Sequence, residues 1–250
     1  MRGATHRIPG LVLTDHRFEV PLNHHKPDAR TLSVYAREVV ADGKEGDDLP
    51  WLLFLQGGPG YGSPRPMNLG GWLAPALKKY RVLLLDQRGT ANSSPVTSQT
   101  LAHLETPQQQ AEYLQHFRAD SIVADCESIR RSLLAERKWT VLGQSFGGFC
   151  TCTYLSFAPN GLEGAFITGG IAPVGVDIDD IYRTTYAIVR DKNRLYFERY
   201  PEDAELVRRI ATHLETHDVT LPEGDRLSVR KFQQLGMHFG MSDGFEIVHY

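Results

Sequence analysis

Trp139-Thr-Val-Leu-Gly-Gln-Ser-Phe-Gly-Gly-Phe149 carries the most informative local pattern of this chain. Thr140, Val141 and Leu142 form a β-branched, apolar run that predicts a short buried strand. It leads into Gly143-Gln144-Ser145-Phe146-Gly147, which fits G-x-S-x-G, and past a second glycine into an apolar stretch to Phe157 that suits a buried helix. A strand, a serine between glycines and a helix, in that order, make a sharp turn that lifts one hydroxyl clear of the backbone. Glycines are needed there because the turn is strained and packs closely against its neighbours. The helix behind it points its first N–H groups at the serine, where they can stabilise developing negative charge. Ser145 is the candidate nucleophile; the plainer reading is a glycine-rich turn with an incidental serine.

Working outward, Gly164-Ala-Phe-Ile-Thr168 predicts one more buried strand. Trp51–Leu55 and Arg81–Asp86 predict two others, apolar almost throughout, as strands covered on both faces are. Residues 11–22 and 31–40 predict an antiparallel entry to the sheet, with turn chemistry at Asn23-His-His-Lys-Pro-Asp28 and a charged loop over 41–48. A helix is expected over about 71–79. Ile122, Val123, Cys126, Ile129, Leu133 and Leu134 recur at helical spacing within a helical segment from Thr106 to Glu136, with Asp120 or Ser121 as N-cap. Strands alternating with helices indicate an α/β class with a mostly parallel sheet flanked by helices. From Pro173 the character changes. Tyr182, Tyr186, Val189, Leu195, Tyr196 and Tyr200 lie among charged residues, Pro201 opens another helix, and a further one is expected over about 227–239. Residues 1–172 therefore read as a sheet-containing core and residues 173–250 as a helical lobe. Its tyrosines read as helix-packing residues rather than a ligand box.

The chain has 250 residues, a formal charge of −3 and 41% hydrophobic residues, enough for one sizeable core and a smaller lobe. The near-neutral balance leaves no electrostatic footprint for nucleic acid or an anionic membrane surface. No apolar run approaches the roughly 20 residues that span a bilayer, and the first residues carry no apolar signal region. Cys126, Cys150 and Cys152 are an odd, sparse set, which speaks against a disulfide framework and for a reducing, cytoplasmic compartment. Cys150 and Cys152 read as small core residues, not metal ligands. Serine chemistry of this kind calls for no metal and no cofactor.

A serine nucleophile needs a base, an acid that orients the base, and donors for the tetrahedral oxyanion. The N–H of Phe146, directly after the serine, is one expected donor. A second is expected from Gly57-Gly58, where missing side chains let the backbone approach the reacting carbonyl. Gln56-Gly-Gly-Pro-Gly60, Asp86-Gln-Arg-Gly-Thr90 and Gly143-Gln-Ser-Phe-Gly-Gly148, in that order, resemble the proline iminopeptidase (prolyl aminopeptidase) family of α/β-hydrolases. Pro9-Gly-Leu, Phe18-Glu-Val-Pro-Leu and Gly240-Met-Ser-Asp-Gly-Phe-Glu246 look like its longer bacterial branch, so the resemblance runs over the whole chain. It implies release of N-terminal proline from peptides, with Ser145 as nucleophile, and a helical cap whose acidic residues bind the substrate's free amine. Glu246 stands where the resemblance puts such an acid; the plainer reading is a solvated glutamate. Two departures stand out: the family usually has His where Gln56 stands and Gly where Ala91 stands. Gln56 can still hydrogen-bond at the substrate site, so retuned geometry is expected. Arg88 reads as a structural arginine tying loops beneath the site, and Asp86 precedes the serine, on the wrong side for the triad acid of this fold.

That acid and the histidine base follow the nucleophile in the chain. After Ser145 the histidines are His213, His217, His238 and His249, all in the helical lobe. The acid and base are accordingly expected beyond Tyr250, and the 250 residues alone are expected to be inactive and hard to keep in solution. Two other functions stay open: an esterase or amidase for small apolar acyl groups, and a non-catalytic remnant.

Overall fold

The structure, a computed structural model, describes residues 2–26, 30–171 and 173–250. The chain divides into two compact units, Met1–Ala172 and Pro173–Tyr250. Among the described residues the first is built on seven strands: β1 (Arg2–Ile8), β2 (Leu11–Pro21), β3 (Thr31–Ala41), β4 (Trp51–Leu55), β5 (Arg81–Leu85), β6 (Trp139–Gln144) and β7 (Leu162–Thr168). They form one sheet in the order β1-β2-β3-β5-β4-β6-β7. The helices of this unit are α1 (Leu73–Ala76), α2 (Ser98–Leu101), α3 (Pro107–Leu114), α4 (Ala119–Leu134) and α5 (Phe146–Phe157).

The sheet is mixed, a parallel centre with the expected antiparallel entry at one edge. β5, β4, β6 and β7 run parallel to one another, whereas β1, β2 and β3 add antiparallel pairs, the last of them against β5. The parallel centre follows from composition. Successive residues of β4 point to opposite faces: Leu52 and Phe54 join Leu11, Leu13, Leu73 and Leu77, while Leu53 and Leu55 join Ile122, Cys126, Ile129 and Tyr154. Both faces are thus covered, and an uninterrupted apolar run is what such a strand requires. β1 was not legible in the sequence, because Arg-Gly-Ala-Thr-His-Arg-Ile has neither an apolar run nor clean alternation. Pairing with β2 decides its conformation.

Other expectations need correction. β7, expected to be buried, is the last strand of the sheet among the described residues: Ala165 and Thr168 are exposed, and Phe166 is 54% exposed. The 106–136 segment breaks into α3 and α4. α4 starts at Ala119 with Arg118 as N-cap and no side-chain cap, while Asp120 lies in the first turn, favourably placed for the helix dipole. The helix expected over 71–79 shrinks to the four residues of α1. In the expected turn after β2, the Asn23 side chain accepts from the N–H groups of His25 and Lys26, at 2.9 and 3.2 Å; Pro27 and Asp28 lie outside the described residues.

The second unit is helical: α6 (Ile178–Arg199), α7 (Asp203–Thr216), α8 (Val229–Gln233), a 3-10 stretch Gln234–Gly240, and α9 (Gly244–His249). Tyr196, Leu214 and Phe239 are buried within it, whereas Tyr182 and Tyr186 are exposed. The Tyr196 hydroxyl donates to the Asp203 carboxylate, whose same oxygen lies 2.9 Å from His249 Nδ1. That contact ties α9 to the start of α7.

Candidate active site

Ser145 sits between β6 and α5 with φ +54° and ψ −119°, a conformation that side chains rarely adopt. The strain is held from both sides: the Ser145 N–H donates to the Thr168 carbonyl of β7 at 2.9 Å, and its carbonyl accepts from the Gly148 N–H at 2.8 Å. The flanking glycines are there for close approach. A Cβ at Gly143 would come within 2.2 Å of the Gly147 carbonyl oxygen, and one at Gly147 within 1.9 Å of the Leu55 oxygen. The start of α5 therefore packs directly on the end of β4, which only a bare backbone permits.

The glycine loop after β4 meets this turn. A Cβ on Gly57 would lie 2.8 Å from the Ser145 Cβ and 2.7 Å from Gln144 Oε1, so the Gly57 backbone lies against the serine. Gly58 has φ +128°. Among the described residues, neither the Gly57 nor the Phe146 N–H donates a hydrogen bond to the protein. Free backbone N–H groups are the kind of donor that can hold an oxyanion.

Asp86 and Arg88 support the loops instead of facing the serine. Asp86, fully buried, accepts from the Ser63 N–H at 2.9 Å and the Asn92 N–H at 3.2 Å and pairs with Arg65. Arg88, buried as well, donates to the carbonyls of Pro21, Leu22 and His116 and grips the Asp125 carboxylate through Nε at 2.7 Å. It is the structural arginine its context suggested. Between them, the Gln87 side-chain amide donates to the Gln56 carbonyl at 2.8 Å, a contact no sequence pattern announced. Gln56 is engaged there through its backbone, so this contact does not depend on which side chain replaces the family's usual histidine.

The remaining candidates lie elsewhere. Burial pushes the Cys150 thiol up to about 12 and that of Cys126 well above its ordinary value, which makes both inert packing groups. Glu246, in the helical unit, is ion-paired with Arg199 of α6. Among the described residues, no group of three or more His, Cys, Asp or Glu could hold a metal ion, and no helix is long and apolar enough to cross a membrane.

Comparison with known proteins extends this geometry. Residues 50–249 match the family model described as the alpha/beta hydrolase fold. A proline iminopeptidase of Aeromonas sobria is 51% identical over 244 residues, covering 97% of this chain and 57% of that protein. The proline iminopeptidase aneH of Aspergillus aculeatus is 42% identical over 253 residues, covering 98% of this chain and 56% of that protein. The chain thus spans little more than half the length of these relatives. Among solved structures, a proline iminopeptidase-related protein from Thermus thermophilus is 25% identical over 61% of this chain and 44% of its own, with a TM-score of 0.38. A family match of that extent, over a strand–serine–helix turn strained and packed as this one is, places the chain in the α/β-hydrolase fold family.

Proposed function

We propose that this protein is a serine aminopeptidase that releases N-terminal proline from peptides through an acyl-enzyme on Ser145. One observation carries the reading: Ser145 sits at a left-handed turn against Gly57, with the Gly57 and Phe146 N–H groups free of hydrogen bonds among the described residues, in a chain 51% identical to a proline iminopeptidase. The Ser145 Oγ attacks the carbonyl carbon of the first residue, and the Phe146 N–H with the Gly57–Gly58 loop holds the resulting oxyanion. The shortened peptide leaves with its new amine, and water then releases proline from the serine ester. In this fold the acid and the base follow the nucleophile. β7 is the last sheet strand described, so neither role is assigned to a residue of this chain.

Gln56 and Glu246 are proposed to contact substrate, Glu246 by accepting from the free amine. Sparse, unpaired cysteines support a cytoplasmic, reducing setting. The Glu246–Arg199 ion pair favours a second reading, a hydrolase for uncharged acyl groups, because a carboxylate already matched by a cation has less to offer an ammonium. One experiment separates them. The parent, Ser145→Ala and Glu246→Gln are assayed on the nitroanilides of proline, alanine and acetyl-proline and on a simple acyl ester, as these 250 residues and at the relatives' length. Ser145→Ala is expected to lower kcat on the order of 10⁶-fold. Glu246→Gln is expected to raise KM only for substrates with a free amine. Equal turnover of acetyl-proline and proline amides would favour the second reading, and activity surviving in Ser145→Ala would remove Ser145 from the mechanism.

A further inference from the structure

We infer that Gln87 is a positioning residue for the oxyanion: its side-chain amide fixes the Gln56–Gly57 peptide so that the Gly57 N–H faces the Ser145 hydroxyl. The inference rests on the reading of Ser145 as nucleophile and deepens it by selecting Gly57 as the loop's donor. A trans peptide unit carries its C=O and its N–H on opposite sides. Gln87 Nε2 takes the Gln56 oxygen at 2.8 Å, so the N–H of Gly57, in the same rigid unit, must point away from Gln87. Gly57 itself lies against the nucleophile turn: a Cβ built there would be 2.8 Å from the Ser145 Cβ, 2.7 Å from Gln144 Oε1 and 3.0 Å from the Gln144 carbonyl oxygen.

An anchor of this kind works only if it is itself immobile. Gln87 is 3% exposed, and its carbonyl accepts from both the Thr90 N–H at 3.0 Å and the Thr90 hydroxyl at 2.7 Å. The turn is closed by the Gly89 N–H on the Ser93 carbonyl and by the Ser93 hydroxyl on the Asp86 carbonyl, at 2.9 and 2.6 Å. The preceding residue holds the far side of the same loop, through the Asp86 carboxylate on the Ser63 N–H at 2.9 Å. Two successive residues at the end of β5 thus pin the glycine loop at positions 56 and 63. Glutamine suits the inner position: it donates without adding charge beside the oxyanion, whereas a glutamate would repel the carbonyl it must hold.

The purely structural alternative is that Gln87 only satisfies a buried carbonyl, which would cost stability and leave the split between kcat and KM untouched. The test uses Gln87→Met, which keeps length and packing but donates nothing, with Gln87→Glu as the isosteric second variant should the first fail to fold. The readouts are kcat and KM on proline nitroanilide, and the Gly57 amide resonance in ¹H–¹⁵N spectra. Expected are a kcat at least about tenfold lower, because loss of one oxyanion donor costs roughly 10²–10³, a KM within about twofold of the parent, and a displaced Gly57 resonance. In an enzyme that Ser145→Ala silences, an unchanged kcat in the Gln87 variant overturns the inference and leaves the Ser145 reading standing. If Ser145→Ala keeps its activity, or a parent extended to the relatives' length has none, that reading fails instead. The Gly57 resonance then decides alone: displaced, it supports the anchor; unmoved, it overturns it.

Discussion

Ala91 carries a Cβ at φ +42°, where the family that the sequence resembles usually has glycine. An L-residue in the left-handed region costs about 1–2 kcal/mol, and glycine gives back roughly 0.5–1 kcal/mol in chain entropy. Ala91→Gly is therefore expected to stabilise the protein by about 0.5–1 kcal/mol, read as a higher denaturant midpoint with an unchanged slope. A lower midpoint would mean that the Ala91 methyl, which packs over Gly62, contributes more than the strain costs. Ser145 holds a comparable left-handed strain for a different reason: Thr168 and Gly148 grip its backbone from two elements. The serine was legible from its neighbours in the sequence. Its grip was not, because Thr168 is on another strand.

At the scale of elements, the antiparallel strands carry a polar cluster that no linear motif betrays. His16 of β2 lies 2.8 Å from one Glu38 oxygen of β3, and Arg81 of β5 donates to the other. Burial pushes the Glu38 carboxyl up, but the His16 and Arg81 hydrogen bonds outweigh it and leave it below the ordinary glutamate range. A carboxyl depressed in the folded state stabilises above its unfolded value, about 4.3, and loses that contribution as pH falls through its lowered folded value. The melting temperature is accordingly expected to drop steadily below about pH 4.3. Glu38→Gln should flatten that decline while lowering stability at pH 7, as thermal melts across pH would show. Asp15 and Glu127 are depressed as well, so the slope should shrink without vanishing. An unaltered slope would place the acid sensitivity elsewhere.

Across the whole molecule, burial is uneven. The first unit packs apolar side chains on both faces of its sheet, whereas Tyr196, Leu214 and Phe239 are the buried large hydrophobics of the second. Less buried apolar area means a lower opening free energy, so limited proteolysis should cut first within residues 173–250, with fragment masses locating the sites. Early cuts within β4, β5 or β6 would contradict this. The strand–serine–helix turn, the paired apolar strands before it, and the change of character at Pro173 were all readable from the chain alone. Each is written in a local pattern: hydrophobic periodicity, an uninterrupted apolar run, or glycines where a backbone must come close. Tertiary structure alone decided that β1 is a strand, that β7 ends the sheet with Phe166 uncovered, and that Glu246 meets Arg199. It alone brought Gln87 to the carbonyl of Gln56. Those outcomes depend on which residues, distant in sequence, become neighbours, and a period of two or of 3.6 residues says nothing about partners 31 positions apart.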